Sequence, residues 1–199
     1  MKKIISVVLV LALGLASVSL AVEDTWTTKA DMPTARSYLS ASVVDGKIYA
    51  IGGLSDQSRA LPTVEMYEPV TNTWVRKADM PTARLNFATS VVGGRIYAIG
   101  GLPGTVGAAY SKVEEYDPVT DTWTRKADMP TARNGFGAGV VNGKIYTIGG
   151  IGVNGNWNVP SAVVEEYTPE GWRPSLLSPQ GKLPTTWGQT RSRQGFVIK

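Results

Sequence analysis

The octet KADMPTAR occurs three times in this chain, at residues 29–36, 77–84 and 126–133. A lone octet would read as a small site holding an arginine and an aspartate, but its surroundings repeat as well. Trp26, Trp74 and Trp123 precede the copies at separations of 48 and 49 residues. Each copy is followed by a turn pair (Asp45-Gly46, Gly93-Gly94, Asn142-Gly143) and then by KIYAIGG, RIYAIGG or KIYTIGG. After these come VEMYEPVTNTW, VEEYDPVTDTW and the shorter VEEYTPEGW. A fixed period with fixed internal landmarks is an architectural repeat. The runs are short, rich in Val, Ile, Tyr, Thr and Trp, and split by Gly and Pro, so each period predicts about four strands and no helix.

Composition matters here mainly for where charge lies. The chain has 20 basic and 16 acidic residues; two bases fall in the first 21 residues and five after Gly171, leaving 13 bases against 16 acids between them, a net of −3. The basic balance therefore belongs to the two ends. A mildly acidic repeat region argues against nucleic acid as a partner. Lys2 and Lys3 precede an uncharged apolar run, and Ser19-Leu20-Ala21 supplies the small residues that a signal peptidase reads. Residues 1–21 are thus expected to be a signal peptide, with export to the periplasm, medium or cell surface and no membrane span after cleavage. The chain has no cysteine and no histidine. Disulfides and thiol nucleophiles are excluded, and neither a metal centre nor any other cofactor is expected.

The paired glycines after a Tyr-containing strand, the Glu-x-Tyr strand and a Trp seven residues beyond that Tyr (Tyr67 to Trp74, Tyr116 to Trp123) resemble the kelch repeat. The resemblance implies an all-β fold: kelch-type β-propeller blades of four antiparallel strands, a to d. Strand a would start at Arg36, Arg84 and Arg133. The propeller region is expected over 22–178, with repeats at about 25–72, 73–121 and 122–171 and an extra N-terminal outer strand in TWTTKADMP. Asp-Gly and Asn-Gly suit the a-to-b hairpin, and the glycine pairs allow close backbone approach. Trp and Tyr would fill the wedges between blades. The octet Asp and Arg are expected to tie the d-to-a loop together. The strand-c glutamates Glu65, Glu114, Glu115, Glu165 and Glu166 are read as serving edge pairing and solubility.

In such blades the d-to-a and b-to-c loops share one face of the disc, and that face carries the variation between copies. Its b-to-c loops offer Asp56, Arg59, Tyr110, Asn154, Asn156 and Trp157 as groups able to grip a sugar ring or an extended peptide. The expected function is a binding or interaction module for a protein or glycan partner, without enzymatic activity. Two alternatives stand beside it: a sugar-directed enzyme resembling the kelch-type sialic acid mutarotases, which work with Arg and Glu as acid–base groups, and a truncated fragment of a longer propeller. Residues 179–199 read as a basic, flexible tail. Because closed propellers have about 4 to 8 blades, three repeats also suggest a homodimer completing a six-bladed ring, with the N-terminal strand pairing onto the partner.

Overall fold

The computed structural model describes residues 24–152 and 159–171. The first sheet contains β1 (Ser40–Val44), β2 (Lys47–Ile51), β3 (Val64–Glu68) and β4 (Thr73–Lys77) in chain order. The second repeats it with β5 (Ala88–Val92), β6 (Arg95–Ile99), β7 (Val113–Asp117) and β8 (Thr122–Arg125). The third holds β9 (Gly137–Val141), β10 (Lys144–Ile148) and β11 (Val164–Tyr167) among the described residues. All pairings are antiparallel between chain neighbours. The sheets are the expected blades, and they do not close on themselves.

The a-to-b hairpins form as their turn residues require. Asp45 and Gly46 take φ of 48° and 74°, and Asn142 and Gly143 take 50° and 72°. Both central residues of such a turn are left-handed, so the strands leave it with the twist of the sheet. The register is then the same in each copy: Val44 faces Lys47, Val92 faces Arg95, and Val141 faces Lys144.

The apolar core lies between sheets. At the first joint Tyr49, Ile51 and Val64 of the first sheet meet Met80, Phe87, Ile96 and Tyr116 of the second. At the second, Val92, Tyr97, Ile99 and Val113 meet Met129 and Ile145, with Phe136 and Tyr167 packed against them. Each joint stacks a strand-b tyrosine against a strand-c tyrosine of the next sheet: Tyr49 on Tyr116 at 5.8 Å, Tyr97 on Tyr167 at 5.9 Å. β1 packs on β5 and β5 on β9, so the first strand of each sheet is innermost.

Three expectations are corrected. Strand a begins at Ser40, Ala88 and Gly137, because Tyr38, Asn86 and Gly135, two residues after each octet, are left-handed and interrupt an extended run from the octet. Residues 24–36 form no strand; Trp26 is fully exposed and fills no wedge. Trp74 and Trp123 do stack on Tyr67 and Tyr116, each with ring centres 5.0 Å apart. The expected signal peptide, the end of the expected propeller region at 172–178 and the tail at 179–199 lie outside the described residues.

Candidate functional site

The octet arginines are the most buried cations of the fold. Arg84 donates from Nη1 to the carbonyls of Gly100 (2.9 Å) and Lys112 (3.0 Å) and from Nη2 to Glu114 (2.7 Å). Arg36 binds Thr63 O, Ala50 O and Glu65; Arg133 binds Gly149 O, Val163 O, Thr147 Oγ1 and Glu165. Thr34 and Thr82 of the octet donate to the second oxygens of Glu65 and Glu114. Burial pushes the pKa of the Arg84 guanidinium down, against the opposing pull of Glu114.

The octet arginine ties the d-to-a loop down as expected; what is corrected is the role of the strand-c glutamates and the partner of the octet aspartates. The arginine locks that loop beneath strand c, and the strand-c glutamates Glu65 and Glu114 are buried partners of that cation. The octet aspartates Asp79 and Asp128 pair instead with Arg76 and Arg125 on the exposed outer strand. A cation with this many fixed acceptors is structural.

Above this layer runs a thread of backbone hydrogen bonds across the sheets. Asn86 N–H donates to Tyr38 O, and Gly135 N–H donates to Asn86 O, both at 3.0 Å. These three equivalent residues are all left-handed, with φ of 52°, 54° and 61° for Tyr38, Asn86 and Gly135. Glycine adopts this conformation freely and asparagine tolerably, but a tyrosine there is strained. Tyr38 is also largely exposed, beside the innermost strands. The Asn86 side-chain amide donates to Asn134 Oδ1 at 3.1 Å. Tyr38 and Asn86 thus place an exposed aromatic and an amide side by side at the loop-bearing end of the innermost strands. Sequence reading passed over them because no glycine or turn signal marks Ser37-Tyr38 as a left-handed site.

The sequence-predicted residues divide. Asp56 and Arg59 are exposed in the first b-to-c loop, and Arg59 bridges to Gly104 in the loop of the second sheet. Tyr110 is on the same face but half-buried, with its backbone bonded to Gly101 and Arg133. Lys112 and Arg84 lie 5.0 Å and 5.7 Å from its ring centre. It occupies the place of Leu61 and Ser161, so it packs a joint and offers little free surface. Asn154, Asn156 and Trp157 lie outside the described residues.

A cavity of about 370 Å³ opens on the opposite face, between the second and third sheets. It arises where the first joint has Met66 and Asp121 and the second has Glu115 and Gly171. Most of its charges are paired: Glu115 with Lys126 and Arg95, and Arg95 also with Asp117. Among the described residues no cluster of carboxylates suits a metal ion.

The chain matches the profile of the KLHDC2/KLHL20/DRC7 Kelch-repeats domain over residues 11–150 and that of the Kelch motif over 132–173. It is similar to β-scruin of Limulus polyphemus, 39% identical over 44 residues, which is 22% of this chain and 5% of that protein. The solved structure of YjhT superposes with a TM-score of 0.61 at 18% identity, over 75% of this chain and 57% of YjhT. The chain thus spans little more than half of that structure and a small part of β-scruin. The expectation of a non-enzyme is withdrawn on this comparison: the likeness to YjhT is one of architecture, and that architecture does not speak against catalysis.

Proposed function

Since this chain belongs to the kelch-repeat family, we propose a carbohydrate-directed role for it, centred on the loop-bearing end of the innermost strands. The observation that carries this reading is Tyr38, an exposed aromatic held in a left-handed conformation at φ 52°. The fold imposes the left-handed conformation in every sheet but does not require a tyrosine in it, and a strained surface aromatic beside the innermost strands points to a role in holding a ligand. A sugar presents an apolar ring face to stack on the phenol and hydroxyls for the Asn86 amide. Asp56 and Arg59, exposed on the neighbouring loop, add an anion and a cation. They suit proton transfer at an anomeric centre, the carboxylate accepting the hydroxyl proton while the guanidinium steadies the alkoxide. Loops at this end then set which sugar enters, and export would bring the protein to extracellular or periplasmic glycans.

The test is an NMR titration with free monosaccharides, acidic and neutral, read alongside the rate of anomer exchange. Saturable binding lost in Tyr38→Ala, and exchange slowed in Asp56→Asn with binding kept, is the expected pattern. No saturable binding of any sugar at millimolar concentration, or binding indifferent to Tyr38→Ala, would sink the reading.

A further inference from the structure

The third sheet exposes what the first two hide. Val44 and Val92 are 5% exposed each, and Val141 at the same register is 57%. Ile51 and Ile99 are 0% and 2% exposed against 54% for Ile148, and Val64 and Val113 are 0% and 2% against 59% for Val164. These residues share one side of the third sheet, the side that in the other sheets receives the next sheet. Gly149 shows the same vacancy from the backbone. A Cβ on Gly52 or Gly100 would lie 2.7 Å from the carbonyl oxygen of the next octet arginine and against Phe87 or Phe136, whereas at Gly149 it meets only Ser161 O at 3.4 Å.

Both joints also show what fits this side. The incoming surface brings an octet arginine carbonyl to the second glycine of the pair: Gly53 N–H donates to Arg84 O, and Gly101 N–H donates to Arg133 O. It brings an aromatic after the octet, a strand-c tyrosine for the stack, and a left-handed N–H for the thread. The first sheet leads with the corresponding set, with leucine where the other two have phenylalanine: the Arg36 carbonyl, Leu39, Tyr67 and the Tyr38 N–H. Thread ends match too, since Tyr38 N–H and Gly135 C=O have no backbone partner among the described residues.

We propose that the open side of the third sheet binds the leading side of the first sheet in a second copy of this chain, and reciprocally, so that two chains close one ring. Two-fold symmetry makes both joints at once, doubling the area buried per encounter, which an interface of one sheet width needs in order to reach the 1,200 to 2,000 Å² (roughly) of stable pairs. The three sheets among the described residues of each copy would make six blades, within the range in which such rings close. Gly150 N–H would donate to Arg36 O, and Tyr38 N–H would donate to Gly135 O. The inference is independent of the sugar reading, but it completes the ring of innermost strands around which that reading is built.

The purified chain at tens of micromolar should sediment at twice its mass. Ile148→Glu, at a position exposed in the single chain, should give a monomer with unchanged circular dichroism. The absence of cysteine supplies a second readout. Across the first joint Ser42 Oγ bonds Thr89 Oγ1 at 2.8 Å; Gly139 and Ala41 are the counterparts across the proposed joint, both exposed and with open space at the Gly139 Cβ. The double variant Ala41→Cys/Gly139→Cys should oxidise to covalent dimers only, and neither single variant should. A wild-type monomer, a dimer that Ile148→Glu leaves intact, or a ladder of higher species from the double variant would each overturn the proposal. A monomer that becomes compact only when further repeats are fused after Tyr167 would do so in favour of blades from a longer chain.

Discussion

A single arginine per sheet joins three strands that are distant in sequence. Arg84 reaches a carbonyl after β6, a carbonyl before β7 and a carboxylate within β7, all from the loop before β5. Removing it leaves Glu114 buried without its counter-charge, so Arg84→Ala should cost about 3–5 kcal/mol in urea unfolding. Arg84→Lys should recover little, because an ammonium cannot span the two carbonyls and the carboxylate at once. Tyr38 behaves in the opposite sense. Tyr38→Gly relieves a left-handed strain of about 1–2 kcal/mol against a glycine cost of about 0.5–1, so thermal unfolding should stay level or rise slightly while any sugar affinity disappears. Gly135, the natural occupant of the same place in the third sheet, shows that the fold accepts it. The octet was legible as a structural motif, yet its partner was not. Arg84 and Glu114 stand 30 residues apart, and nothing local says that the loop tucks under strand c.

Turns and glycine pairs set how neighbouring elements meet, and they were largely readable: the Asp-Gly and Asn-Gly hairpins, the strand order and the close approach at Gly52 and Gly100 follow from residue type alone. Their energetic weight depends on what arrives. Gly100→Ala places a Cβ 2.7 Å from Arg133 O at φ 63° and should break the second joint, with an early loss of structure in the third sheet on heating. Gly149→Ala meets only Ser161 O at 3.4 Å, so beyond a cost of about 1–2 kcal/mol for its φ of 73° it should leave the single chain folded while weakening association, measurable by sedimentation. The c-to-d turn adds a charge-dependent clasp. Asp121 accepts from the Tyr116 hydroxyl (2.6 Å) and from Ala78 N–H (2.9 Å), tying the second sheet to the end of β4. Burial pushes its pKa up, but these two donors and Lys77 together outweigh it, and the carboxyl sits below its ordinary value. The folded state therefore binds that proton less readily than the unfolded one. This contribution is complete above the unfolded pKa of about 3.9 and is lost as pH falls through the folded value. Asn72 makes the equivalent contacts in the first sheet. Asp121→Asn should accordingly flatten the acid limb of the stability profile below about pH 4 while preserving the native structure near pH 7.

At the scale of the molecule the two end faces dominate. Val164 and Val113 sit in the same local sequence, so no reading of residues distinguishes the exposed valine from the buried one; only the count of sheets does. The melting temperature of a protein whose core is finished by a second copy rises with concentration. A tenfold dilution through the dissociation range should lower it by a few degrees in wild type and leave Ile148→Glu unmoved. The thread through Tyr38, Asn86 and Gly135 carries one consequence beyond stability. It has a direction: a donor waits at one end and an acceptor at the other. Such a unit adds to its own kind in one sense only, like a link with a hook and an eye, and a link of this sort either meets itself after a whole turn or keeps extending. The curvature between neighbouring sheets is then under selection of its own. A substitution that opened each joint by a small angle would leave every blade intact and turn a finite assembly into a fibre.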